Sequence, residues 1–295
     1  MKNFFLGFIK KIRKLFPASL IIAVYIFLAR NKTCRRAIHA IIKFVMPRTV
    51  EIEEGVIVLN PEDPVVSGSL VFSVYEKFET ELFRQHVKPG MVVVDVGANI
   101  GYYSLIAARR VGDTGKVFAF EPDSNNFAFL QQMVARNRFA NVISHNIALG
   151  DCDGSIDLYL SDDNKGDHRI YPVSLENRSK ITIPMNTLDA VLKSDGSLRV
   201  DFLKMDVQGA EGLVLGGMPS VLSSNPNMII FSEFWPEGLR NAGSDPIIVL
   251  ERLAQNKNVY EIEESKLILK KVTDFKEFIN RYPGRKYANI ICKNG

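Results

Sequence analysis

At 295 residues, the chain has room for one large domain or one domain with an appendage. Its composition, 46% hydrophobic and 24% charged, excludes a disordered chain, a collagen-like repeat and a disulfide scaffold. The net charge of +4 conceals two regions of opposite sign: residues 1–50 hold eleven Lys or Arg and no acid, and the rest of the chain nets −7.

The basic head comes first. Phe5, Phe8, Ile9, Ile12 and Phe16 fall at helical spacing on one face, with Lys10, Lys11, Arg13 and Lys14 on the flanks and back, which predicts a basic amphipathic helix ended or kinked by Pro17. An apolar run, Ala18–Ala29, follows. Counted from Leu15 it is about 22 Å long as a helix, short against the roughly 30 Å core of a bilayer. A secretory signal peptide fits poorly, because Phe27 and Arg30 flank Leu28 and Ala29 where small residues are needed for cleavage. A helix packed on the protein's own core is the other reading. The favoured expectation is a monotopic membrane contact through residues 1–48, on the cytoplasmic face, with lysines and arginines meeting anionic headgroups.

Residues 49–87 read as lead-in strands and a helix. From residue 88 onward, β-branched runs alternate with helical patterns. Strands are predicted at Met91–Val96, Lys116–Phe120, Val142–Ile147, Asp201–Met205 and Met228–Phe231, and helices at Tyr102–Arg110, Ser124–Asn137 and Ala210–Met218. This alternation predicts an α/β fold, a doubly wound, mostly parallel Rossmann-like sheet whose ligands bind at the carboxyl ends of the strands. Three separated cysteines (Cys34, Cys152, Cys292) and four scattered histidines (His39, His86, His145, His168) form no C-x-x-C or H-E-x-x-H pair. That suits a reducing compartment and asks for no metal.

The first strand end reads Asp95-Val96-Gly97-Ala98-Asn99-Ile100-Gly101. Gly97 permits the tight turn, and Gly101 is expected to let a ligand approach the start of the helix. A dinucleotide site wants G-x-G-x-x-G, whereas the spacing here is D-x-G-x-x-x-G, which speaks against a pyrophosphate and for a ligand bearing positive charge. Glu121 ends the second strand, twenty residues after Gly101, where a carboxylate can accept both hydroxyls of a ribose diol.

These residues carry a resemblance. The segments DVGANIGYYSL and AFEP, then Leu188-Asp189 and Lys204-Met205-Asp206-Val207-Gln208-Gly209-Ala210-Glu211, resemble the FkbM-type family of S-adenosylmethionine-dependent methyltransferases, from about residue 75 to residue 292. The resemblance implies a class I methyltransferase sheet over residues 88–295, with S-adenosyl-L-methionine as cofactor. It implies that Asp95, Gly97, Asn99 and Gly101 wrap the methionine part, Glu121 holds the ribose, Asp151 lies near the adenine, Asp206 sits beside the sulfonium and Glu79 faces the cofactor. Two positions depart from the family pattern. Met133 stands where Asn is frequent, with the cost of a helix-surface bond expected, and Gln208 replaces a frequent Glu.

Methyl transfer needs alignment and a base that removes the acceptor's proton. Glu233, just after the fifth strand, and His168 qualify, with Asp206 as a third catalytic candidate and Arg169 able to grip an acidic or hydroxyl-rich substrate. His168 and Arg169 also read as ordinary loop residues. By family analogy the acceptor is a sugar hydroxyl or related group on a glycolipid, polysaccharide or secondary metabolite. The competing readings are a nicotinamide-dependent dehydrogenase, opposed by the glycine spacing, and a non-catalytic membrane scaffold. Nucleic acid is an unlikely substrate for an acidic body without a basic stripe.

Overall fold

The computed structural model describes residues 31–294 apart from 74, 163 and 174–177. The amphipathic helix expected before Pro17 and the apolar run Ala18–Ala29 lie outside the described residues. Helix α1 (Lys32–Val45) starts at Asn31, whose Oδ1 accepts from the N–H groups of Thr33 and Cys34. An antiparallel hairpin, β1 (Thr49–Ile52) with β2 (Gly55–Val58), and two helices, α2 (Val66–Phe72) and α3 (Lys77–His86), lead into the main sheet.

That sheet begins with strict alternation: β3 (Val92–Val96), α4 (Tyr102–Val111), β4 (Lys116–Phe120), α5 (Ser124–Asn137) and β5 (Val142–His145). A separate three-stranded sheet follows, formed by β6 (Ala148–Leu149), β7 (Gly154–Leu160) and β8 (Ser179–Asn186) in the order β6-β8-β7. The chain then returns through α6 (Leu188–Ser194), β9 (Phe202–Met205), α7 (Glu211–Gly216), α8 (Pro219–Ser224) and β10 (Ile229–Phe234). It closes with α9 (Pro236–Asn241), α10 (Pro246–Leu253), β11 (Asn258–Glu263), β12 (Ile268–Lys271), α11 (Phe275–Asn280) and β13 (Ala288–Lys293).

The main sheet runs β12-β11-β13-β10-β9-β3-β4-β5, with β5, β4, β3, β9 and β10 parallel and β13 antiparallel between β10 and β11. Both faces are covered, so the central strands are apolar throughout rather than alternating. Val94, Val96, Leu203 and Met205 pack with Leu192, Val214 and Leu250 on one face. Val93, Phe202 and Phe231 pack with Phe83, Leu105 and Ile106 on the other, where the Phe83 ring meets Phe202 edge-on at 4.9 Å. Each such buried side chain contributes about 1.5–3 kcal/mol. Asp95 and Lys204 break this pattern, and the β3–β9 register sets them side by side.

The mostly parallel, doubly wound sheet is the one the alternation predicts; some boundaries differ. Strand β10 runs on to Phe234 because its second half pairs with β13, Glu233 opposite Asn289 and Phe234 opposite Ala288. Strand β5 stops at His145, since Asn146 turns its amide onto the carbonyls of Glu121 and Pro122. Helix α7 stops at Gly216, before a second glycine, two residues short of the predicted Met218. No helix among the described residues is long and apolar enough to cross a membrane.

Candidate active site

The carboxyl ends of β3, β4, β9 and β10 open into a cavity of about 510 Å³, roofed by α2 and by the 164–170 segment of the inserted sheet. This is within the roughly 300–1,000 Å³ of small-molecule sites. The turn after β3 forms its floor. Gly97 has φ 78°, and a Cβ there would stand 2.0 Å from the Asp206 carbonyl oxygen, so only glycine lets the turn lie against the end of β9. Gly101 serves packing rather than ligand approach: its Cβ would meet Met133 and Leu130 of α5 at 2.5 and 2.7 Å. Met133 is therefore fully buried core under the turn, not the helix-surface residue expected.

Glu121 ties this floor together. Its Oε2 accepts from the Asn99 N–H at 2.7 Å and its Oε1 from the Asp123 N–H at 2.9 Å. Each oxygen retains a second lone pair for a hydroxyl. Burial pushes its carboxyl up to about 8 against the pull of those two amides. Asp95 is also buried; Ser104 Oγ donates to its Oδ2 at 2.6 Å, while Asp95 Oδ1 and the nearby Asn99 Oδ1 are buried with no partner. Two orphaned acceptors at the cavity floor are fitted to a ligand that brings donors and positive charge.

The opposite end lies three strand spacings from Glu121, about 14 Å at the usual separation. There the Gln208 amide donates to Asp206 Oδ1 at 3.0 Å and to Glu233 Oε1 at 3.2 Å, bridging two carboxylates. Glu76 joins them, accepting from Tyr103 Oη at 2.8 Å. Burial first, then Asp206, Glu211 and Glu76, hold the Glu233 carboxyl well above its ordinary range; burial and Asp206 push Glu76 to about 7. One cation answers this cluster. Lys204 is buried, 3.8 Å from Asp206 and 4.6 Å from the Tyr103 ring centroid. Burial alone would push it down, but Asp206, Asp95, Glu76 and Glu79 hold it above the usual lysine range.

Several expected residues stand elsewhere. Glu79 is bonded to Asn289 of β13 behind the wall, and Glu76, three residues earlier with φ 32°, faces the cavity in its place. Asp151 is exposed beside Gly216, and Ile147, Ala148 and Leu149 line the cavity there instead. His168 stands at the Glu121 end: its Nδ1 accepts from the Ser161 N–H at 3.0 Å, and Nε2 is 4.0 Å from Asp123 Oδ2. Burial pushes the ring down to about 4, so it is neutral, with its proton on Nε2. A ring in that state donates from Nε2, and its one lone pair, on Nδ1, is already engaged by the Ser161 N–H. Arg169 is off the wall too, with Nε on Asp167 Oδ1 at 2.7 Å and its guanidinium 4.6 Å from the Trp235 ring centroid. Trp235 is itself fixed by Nε1 donating to the Gly284 carbonyl at 2.7 Å. Lys204, Glu76 and the bridging role of Gln208 escaped the sequence reading; a lysine inside an apolar strand was the available signal.

The Methyltransferase FkbM domain matches residues 95–269, more than half of the chain. This chain belongs to the FkbM methyltransferase family. Its cofactor is S-adenosylmethionine, and the buried Asp95, the Asn99 turn and Glu121 offer acceptors for a cationic, ribose-bearing molecule. Hexuronic acid methyltransferase AglP of Haloferax volcanii is 30% identical over 61% of this chain and 69% of its own length. Methyltransferase sdnD of Sordaria araneosa is 24% identical over 62% of this chain and 86% of its own. Methyltransferase 1 of Beauveria bassiana is 28% identical over 43% of this chain, which spans 57% of that relative's length. Among solved structures, Methyltransferase FkbM from Methylobacillus flagellatus KT aligns with TM-score 0.43 and 15% identity over 75% of this chain and 54% of its own.

Proposed function

We propose that this chain transfers the methyl group of S-adenosylmethionine to a hydroxyl oxygen, on a sugar or related unit of a glycolipid, polysaccharide or secondary metabolite. The observation that carries this reading is the Gln208-bridged pair of Asp206 and Glu233, set two and three strands along the sheet from the ribose acid Glu121. A name among the relatives that specifies a hexuronic acid supports a sugar acceptor. The cofactor, when bound, supplies a methyl group on positively charged sulfur.

This chain's own groups do the rest. Asp95, Asn99 and Glu121 hold and orient the cofactor, and Asp206 faces its positive charge. Gln208 engages Glu233 Oε1, so the acceptor's proton is taken at Oε2. Burial and neighbouring acids hold the Glu233 carboxyl above its ordinary range, and positive charge arriving beside it favours the carboxylate that acts as base. His168 donates from Nε2 at the adenosine end. Arg169 braces the wall through Trp235 and Asp167. We place the reaction on the cytoplasmic side, where the methyl donor is made, with residues 1–48 on the membrane surface.

The test is transfer of a radiolabelled methyl group from S-adenosylmethionine to a panel of neutral and acidic glycosides, with Glu233→Gln as control. Transfer to a hydroxyl, reduced about 10²-fold or more by the substitution, is expected. Labelling of nitrogen or carbon, or full activity in Glu233→Gln, would overturn the assignment.

A further inference from the structure

Helix α1 presents two faces. On one, Ile42 lies against α2, its Cγ2 3.8 Å from where a Cβ on Gly68 would stand, and both residues line the cavity. On the other, Ala37, Ala40, Ile41 and Phe44 recur at i, i+3, i+4 and i+7, and all four are exposed, Ile41 at 55% and Phe44 at 65%. That is the spacing of a stripe meant for burial. Here it covers nothing among the described residues, and the apolar cavity wall of Ile42, Pro64, Val65, Val66 and Phe72 begins on the other face of the same helix.

Charge selects the occupant. The α1 sequence contains Lys32, Arg35, Arg36 and Lys43 and no acid, and although Lys43 is paired with Glu62, the helix sits within a stretch of eleven basic residues without an acid. A second copy docking through this helix would bring two such basic segments together. The first thirty residues carry Lys2, Lys10, Lys11, Arg13, Lys14 and Arg30 and no acid, so they too would meet α1 with like charge. An anionic leaflet neutralises both, at about 1 kcal/mol for each basic residue near it, and accepts the apolar stripe at its headgroup–acyl boundary.

We infer that the Ala37–Ala40–Ile41–Phe44 face of α1 seats in an anionic leaflet, and that the cavity takes an amphiphilic acceptor directly from it. The acceptor's apolar part passes Ile42 and Phe72, and its hydroxyl reaches Glu233 at the far end. Tyr287, which lines the cavity and is 53% exposed, forms the opposite rim. The membrane seat stands independently of the methyltransferase reading; the acceptor's destination rests on it.

The experiment uses full-length protein with Cys34→Ser, Cys152→Ser and Phe44→Cys, labelled with an environment-sensitive dye, Cys292 being buried. Vesicles of phosphatidylcholine with phosphatidylglycerol, their acyl chains brominated, should quench the dye by about twofold or more, as expected for insertion at the acyl boundary. A dye at Gln132→Cys, on the exposed face of α5, should be unaffected. Pelleting with vesicles without quenching at position 44 would overturn the seat, as would no pelleting at all. A dye shielded before vesicles are added would also overturn it, in favour of a second copy if the mass doubles and of the chain's own first thirty residues if it does not.

For the acceptor, a glycolipid with a photoreactive acyl chain is placed in the same vesicles. Adducts on Ile42 and the 64–72 segment are expected, falling about tenfold in Ile41→Asp/Phe44→Asp as membrane affinity is lost. Adducts confined to Ala37, Ala40, Ile41 and Phe44 would overturn entry from the leaflet. Calorimetric binding of S-adenosylmethionine, which the double variant should retain, separates the outcomes: failure of wild-type protein to bind it would sink the methyltransferase reading and leave the membrane result standing.

Discussion

Gln208→Glu replaces an amide by a carboxyl of nearly the same shape, and it isolates what the amide does between Asp206 and Glu233. An ionised carboxylate at this position donates neither of the bonds that run 3.0 Å to Asp206 and 3.2 Å to Glu233. Losing two bonds at about 1 kcal/mol each gives about 2 kcal/mol, and a negative charge added beside acidic groups at a half-buried site raises the total to about 2–3 kcal/mol near pH 8. For a chain of this size that is about 4–12 °C in Tm. Near pH 5 the introduced carboxyl keeps its proton and donates again, so the loss shrinks to about 1 kcal/mol. The sign follows from linkage: a carboxyl raised above its unfolded value contributes stability at low pH that disappears as pH rises through the folded value. Scanning calorimetry of both proteins at the two pH values measures this. A Tm loss that is the same at both, or absent at the higher, refutes the bridging role.

Glu121→Ala should weaken S-adenosylmethionine binding by roughly 30-fold to 1000-fold, because the carboxylate both faces the ribose and fixes the Asn99 turn; unchanged affinity by calorimetry would remove it from the site. With Glu121 at about 8 and Glu76 at about 7 in the free protein, binding a cation should release protons near neutral pH. Affinity then tightens by up to about tenfold per pH unit between pH 6 and 8, and calorimetry in buffers of different ionisation enthalpy would contradict this by showing proton uptake. Lys204→Met leaves Asp95 and Asp206 without their buried counter-charge and should cost about 3 kcal/mol in denaturant unfolding; a neutral result would mean that the acids are protonated around it. Arg169→Ala should lower stability by about 1–3 kcal/mol while leaving the acceptor KM unchanged, whereas a large KM change with intact stability would restore it as a substrate contact.

What could be read in advance was what is encoded locally. The D-x-G-x-x-x-G turn and Glu121 are local to a strand end, so spacing alone marks them, and the five parallel strands announce themselves as short, mostly apolar runs between helical patterns. Lys204 becomes meaningful only beside Asp95, and that adjacency is a matter of β3–β9 register across more than a hundred residues of chain. Choosing Glu79 over Glu76 failed for a similar reason: which acid of a helix start faces inward is decided by one left-handed residue, and Glu76 is that residue. Gly101 was read for the ligand it might admit, but the neighbour it admits is α5, which no local pattern reveals. His168 and Arg169 fall in the 164–170 segment above the sheet. Their roles depended on partners, the Ser161 amide and the Trp235 ring, that only the folded chain supplies.

The chain contains a single tryptophan, and it is Trp235, buried where β10 ends two residues beyond Glu233. Its indole is clamped between a guanidinium and a backbone carbonyl, so its emission has one environment and one origin. Ligand-induced rearrangement of the Arg169 stack or of the Gly284 segment would therefore register as a change in tryptophan fluorescence, excited at the red edge where the nine tyrosines do not absorb. Stopped-flow mixing could time the arrival of cofactor and acceptor separately, in the unlabelled protein and before any acceptor has been identified.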